Sequence, residues 1–141
     1  MSKIFIDANF IIAIFREIEN NHEIAFKTCE TLLNTCDCYI SNSIISEVIT
    51  IMMMRTKNIE LTSKAYYFML DNFKVLNELD IPNYNTKVFK LFEKYNNNRF
   101  NLGYVDCSIP VICDYYGLDC VVTFDKNFSL FSEIKLYAGM Q

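Results

Sequence analysis

Lys3-Ile4-Phe5-Ile6-Asp7 is a short apolar run that ends on a carboxylate, and Val121-Val122-Thr123-Phe124-Asp125 repeats the pattern near the other end of the chain. Runs that are apolar at every position mark strands covered on both faces, as in parallel sheets. Residues 38–41 read as a further strand, residues 79–81 as a short one closed by Pro82, and residues 135–137 as a last edge strand. Between these lie helical patterns. A short helix is expected over 9–18, and a loosely spaced one over 22–35. A third, capped by Asn42 or Ser43, carries Ile44, Ile45, Val48, Ile51 and Met52 on one side. A long one over 61–79, capped by Thr62 or Ser63, shows Ala65, Tyr66, Met69, Leu70, Phe73 and Leu76 at helical spacing. Helices over 84–95 and 104–116 follow, separated by the Asn96-Asn97-Asn98 loop. Gly117 ends the last helix, and Pro110 implies a kink or a shifted start.

Helices alternating with short apolar strands specify an α/β fold with a mostly parallel sheet. The 141 residues suit one compact domain, 1–141. With 52% hydrophobic and 21% charged residues and only 3 Gly and 2 Pro, the composition is globular. A mean hydropathy of +0.12 leaves apolar surface over for a partner or a second copy. The longest purely apolar run, 10–15, is far too short to cross a bilayer, so no membrane association is expected. Six cysteines without a C-x-x-C pair, and a single histidine, His22, argue against structural zinc and for reduced thiols in a cytoplasmic protein. The net charge of −4 excludes a passive nucleic-acid coat, but not an enzyme whose carboxylates bind cations.

In parallel sheets, ligands bind beyond the carboxyl ends of the strands. Asp7 and Asp125, each at a strand end, should therefore emerge on one edge. Glu47 and Asp106 are carboxylates on otherwise apolar helices, costly to bury without a partner. Four such groups at one edge repel one another unless a cation or shared protons intervene. Oxygen ligands without histidine favour Mg²⁺ or Mn²⁺. Taken singly, each has a plain structural reading: a strand-end turn for Asp7, a helix-surface charge for Glu47, an N-cap for Asp106, and a turn for Asp125.

Ile4-Phe-Ile-Asp-Ala-Asn-Phe-Ile-Ile12, Ser41-Asn-Ser-Ile-Ile-Ser-Glu-Val48, Leu102-Gly-Tyr-Val-Asp-Cys-Ser-Ile109 and Val121-Val-Thr-Phe-Asp-Lys-Asn-Phe128 resemble, in order, the four acidic blocks of the PIN-domain nucleases. They are most similar to the VapC-like toxins of toxin–antitoxin pairs. The resemblance implies a Rossmann-like α/β/α sandwich. It also implies a metal-dependent endoribonuclease that leaves 5′-phosphate and 3′-hydroxyl ends. Asp7, Glu47, Asp106 and Asp125 would be its metal-holding and catalytic residues, supported by Asn9, Ser43 and Thr123. An antitoxin partner and a homodimer are the further expectations. Lys87, Lys90 and Lys94 with Arg99, or Arg55 with Lys57, are candidate RNA contacts. A solvated helix face is the plainer reading of the lysine stripe. A cluster of Tyr66, Tyr67, Phe68 and Phe73 could stack bases, with core packing or a dimer face as the alternative. His22, far from the acidic blocks in sequence, excludes a histidine acid–base pair and takes a surface or capping role. A phosphatase reading fails because Ala8-Asn9 supplies no second carboxylate beside Asp7. A silent PIN-like scaffold and a housekeeping RNA-processing nuclease remain the rivals.

Overall fold

The computed structural model describes residues 1–97 and 102–140. Four parallel strands form one sheet in the order β3-β2-β1-β4: β1 (Ser2–Ile6), β2 (Cys36–Ser41), β3 (Lys74–Leu76) and β4 (Cys120–Val122). Ile4, Phe5 and Ile6 of β1 and Val121 and Val122 of β4 are fully buried, as continuous apolar runs require in a sheet covered on both faces. Around the sheet, α1 (Ala8–Phe15) packs against α2 (His22–Thr35), α3 (Asn42–Thr56) and α4 (Ile59–Asn72). A second pair is formed by α5 (Tyr84–Tyr95) and α6 (Tyr104–Tyr116). The architecture is an α/β/α sandwich. Because β2 and β3 lie on one side of β1 and β4 on the other, the strand order reverses between β1 and β4. At that reversal the sheet leaves a crevice beyond its carboxyl edge.

The bounds of α2, α5 and α6 agree with the sequence pattern, and Gly117 closes α6 in the left-handed region (φ 70°). Pro110 lies inside α6, buried, and does not shift its start. It has no N–H to offer the Asp106 carbonyl one turn earlier. The helix expected over 61–79 is two elements. It begins earlier, at Ile59 under the Asn58 side chain, which accepts from the Leu61 N–H, and it stops at Asn72. The chain then joins the sheet as β3, with Val75 and Leu76 beside Ile40 and Ser41. The strand expected over 79–81 is a 3-10 turn, Glu78–Asp80. Residues 135–137 make a single bridge, Leu136 to Val121, along the outer side of β4. The first helix ends at Phe15, short of residue 18. All six cysteines are free. Among the described residues, no helix is long and apolar enough to cross a membrane. Asn98 and Arg99 lie outside the described residues.

A carboxylate-lined cavity at the strand reversal

Asp7 follows β1 directly. Its own N–H bonds the Val122 carbonyl of β4 at 3.0 Å, which seats it over the reversal. Its carboxylate is buried, with one oxygen accepting from the Ala8 N–H at 2.8 Å and the other from the Thr123 hydroxyl at 2.7 Å. The Thr123 oxygen in turn accepts from the Asn9 amide at 3.0 Å and from the Asp125 N–H at 3.0 Å. Asn9 takes the Phe124 N–H on its carbonyl oxygen at 3.0 Å. So Asn9 and Thr123 together fold the segment after β4 back toward Asp7, while Phe124 stacks on Phe10 to hold it down. Asp125 heads the 3-10 turn Lys126–Leu130 and accepts from the Asn127 N–H.

Glu47 enters from α3 and Asp106 from the first turn of α6, where one of its carboxylate oxygens accepts from the Gly103 N–H at 3.0 Å. All four carboxylates line one cavity of about 310 Å³, together with Asn9, Glu19 and Arg55. The cavity raises the proton affinity of Asp7, Glu47 and Asp106. Burial pushes the Asp7 carboxyl up to about 7, against the Thr123 and Ala8 bonds, and the nearby charges of Asp106 and Glu47 add to it. Burial likewise raises Glu47, helped by Asp106, and raises Asp106, helped by Asp125. One Glu47 oxygen is buried with no hydrogen-bond partner among the described residues. A buried acceptor in that state is expensive unless something else fills the role.

The chemistry of these donors would suit a hard divalent cation. The donors are all oxygen, they crowd one another electrostatically, and one of them is orphaned. The carboxylates face one space without yet forming a closed cage. Among the described residues, no three acidic, histidine or cysteine side chains already stand close enough to hold an ion.

The other sequence candidates scatter. Ser43 turns away from this cavity: its hydroxyl donates to Glu78 at 2.9 Å. Of the lysine stripe, Lys94 is paired with Glu133 at 2.9 Å, while Lys87 and Lys90 line a separate groove between α5 and α6 with Pro110 and Tyr115. Arg55 lines the acidic cavity, and Lys57 does not. Phe73 is buried and Phe68 half-buried, packed edge-on to each other, whereas Tyr66 and Tyr67 are exposed. His22 ties the start of α2 to the Ala13 carbonyl at 2.7 Å, a capping role.

Two carboxylates escaped the sequence pattern. Glu19 had no signal. Glu78 had one, because it closely follows an apolar strand, as Asp7 and Asp125 do, but the helical spacing of residues 61–79 concealed that strand.

The family model of the PIN domain matches residues 4–134. The chain belongs to the PIN-domain family. Solved PIN-fold structures similar to it include the VapC20 toxin of Mycobacterium tuberculosis, described as cleaving the sarcin-ricin loop. That structure is 18% identical, with 94% of this chain and 98% of that chain covered and a TM-score of 0.73. VapBC-1 of nontypeable Haemophilus influenzae is 18% identical over 99% of both chains, with a TM-score of 0.69. FitAcB of Neisseria gonorrhoeae is 17% identical over 95% of this chain and 96% of that one, with a TM-score of 0.67. No curated protein matches the chain by sequence.

Proposed function

We propose that this PIN-domain chain is a Mg²⁺- or Mn²⁺-dependent endoribonuclease and acts as the toxin of a toxin–antitoxin pair. The observation that carries the reading is the cavity at the strand reversal, which Asp7, Glu47, Asp106 and Asp125 line together, with the carboxyls of Asp7, Glu47 and Asp106 raised and one Glu47 oxygen without a partner among the described residues. These four residues are the proposed cation ligands. A bound divalent ion there makes a water more acidic and offsets the charge that builds on the phosphate under attack. The chain's own part is placement. Thr123 and the Ala8 N–H fix the rotamer of Asp7, the Gly103 N–H fixes Asp106, and Asn9 holds the Phe124–Asp125 segment against β1. Ile12 and Ala13 of α1 wall one side of the cavity and limit the water around the scissile phosphate.

The similarity to VapBC and FitAcB structures supports an antitoxin partner. So does the apolar surface that α4 leaves uncovered at Ile59, Tyr67 and Leu70. A homodimer of the whole 1–141 domain in the cytoplasm belongs to the same reading.

The deciding experiment incubates the purified protein with total cellular RNA in Mg²⁺, Mn²⁺ or EDTA, beside an Asp106→Asn variant. Discrete cuts that require metal and vanish in the variant are expected. If wild type and variant behave alike, and metal raises the melting temperature of neither, the quartet is not a working metal site.

A further inference from the structure

Glu47, Ile51 and Arg55 stand at four-residue intervals on one face of α3, and all three line the acidic cavity. The helical rise sets the Arg55 backbone roughly 12 Å beyond that of Glu47 along the axis. Against the carboxylates of Asp7, Glu19, Glu47, Asp106 and Asp125, Arg55 is the one cationic side chain lining this cavity among the described residues.

Its present partner is Glu19. The Arg55 guanidinium lies 3.3 Å from one Glu19 oxygen, and Arg16 holds the same oxygen from the other side. Arg16 is 14% exposed and anchors Glu19, whereas Arg55 is 52% exposed and is the member free to move. A half-exposed ion pair is weak and screened by salt. A phosphate offers the planar guanidinium two parallel, charge-assisted hydrogen bonds, a stronger arrangement than the single contact it has now.

We propose that Arg55 clamps the phosphate flanking the scissile bond of a bound RNA strand, exchanging Glu19 for that phosphate when substrate enters. The inference rests on the nuclease reading above and adds the register: the carboxylate end of the cavity takes the phosphate that is cut, and the Arg55 end takes its neighbour along the strand. The lysines of α5 cannot serve this purpose, because none of them lines this cavity; Lys87 and Lys90 line a different groove.

The test measures cleavage of a short single-stranded RNA in Mg²⁺ by wild type, Arg55→Ala and Arg55→Lys. RNA binding is measured alongside, in an Asp106→Asn background over a range of salt. Arg55→Ala should raise KM about tenfold, the loss of one charge-assisted contact, with kcat changed by less than about threefold. The slope of log binding constant against log salt should fall by about 0.7, one phosphate contact on a single strand. Arg55→Lys should keep the slope and recover part of the KM. The melting temperature and its rise with Mg²⁺ should not move. An Arg55→Ala variant with unchanged KM and slope overturns the clamp, as does one in which kcat and melting temperature fall together while the slope stays. Wild type that cuts no RNA at all removes the nuclease reading, and the clamp with it.

Discussion

Asp7 and Glu78 are both 4% exposed and both follow strands of the same sheet at its carboxyl edge, yet their surroundings treat the charge in opposite ways. Burial pushes Glu78 up, but the N–H and hydroxyl of Ser43 and the side chain of Asn42 outweigh it and hold its carboxyl below the usual range. Those donors sit at the N-terminus of α3, whose exposed N–H groups and dipole favour an anion. Asp7 accepts from the Ala8 N–H, the Thr123 hydroxyl and, at 3.3 Å, the Asn9 amide, but it is buried beside two carboxylate neighbours, and its carboxyl rises to about 7. A buried acid whose lone pairs are filled by its own fold is a structural part. One whose charge is disfavoured by burial and crowding despite its hydrogen bonds marks a candidate functional site.

The widest separation between the two should appear in catalysis. Asp7→Asn keeps the size of the side chain and removes the charge, so RNA cleavage in Mg²⁺ should drop on the order of a thousandfold, as when a preorganised electrostatic group is lost. Glu78→Gln, assayed well below its melting temperature, should lose far less. Comparable losses in both would mean that the cavity carboxylate has no special role.

Stability should sort them the other way. Glu78→Ala leaves two backbone N–H groups at the start of α3 without their carboxylate, and costs about 3 kcal/mol of unfolding free energy. Asp7→Asn, measured in EDTA at pH 8, should gain about 2 kcal/mol, because the variant no longer buries a charge and the smaller repulsion from Asp106 and Glu47 is lost with it. The sign follows from the raised carboxyl. In the metal-free wild type the charge on Asp7 costs nothing below the unfolded value near 4 and its full amount above about 7. The variant's advantage should therefore be complete at pH 8 and fade as pH falls toward 4. Urea titrations of both proteins across that range decide it, and an advantage that does not depend on pH would refute the electrostatic cause.

The same contrast explains what the sequence could and could not reveal. The acidic quartet was legible because carboxylates on apolar segments are conspicuous, and because two of them end runs such as Ile4-Phe5-Ile6. The bounds of α2, α5 and α6 were legible because their apolar faces stop at Asn, Gly or a change of period. Glu78 was not, because Met69, Phe73 and Leu76 continue the spacing of α4 straight through β3, and three residues are too few to show a strand period. Thr123 and Phe124 read as strand, yet the Asn9 carbonyl and the Thr123 hydroxyl take the N–H groups that a ladder would have used. Ser43 looked like a helix cap or a neighbour of the metal site, but the capping comes from Glu78, thirty-five residues away. Local spacing carries periodicity, whereas long-range side-chain donors and acceptors do not announce themselves.

The smallest expected effect tests whether Glu78 is held as an anion. Its folded carboxyl lies below the unfolded value near 4.3, so its contribution is fully present above that value and is lost as pH falls through the folded one. Glu78→Gln cannot follow this course, because the amide does not titrate and presents one acceptor where the carboxylate presents two. The difference in stability between wild type and Glu78→Gln should accordingly stay flat from pH 8 to 5, then shrink by about 1 kcal/mol between pH 5 and 3. Several carboxylates titrate in that window, but they are common to both proteins and cancel in the difference. A difference that shrinks instead between pH 8 and 6 would place Glu78 in the same class as Asp7. The lower window would leave α3 capped by a permanent anion, and with it a fixed stage from which Glu47 reaches the cavity.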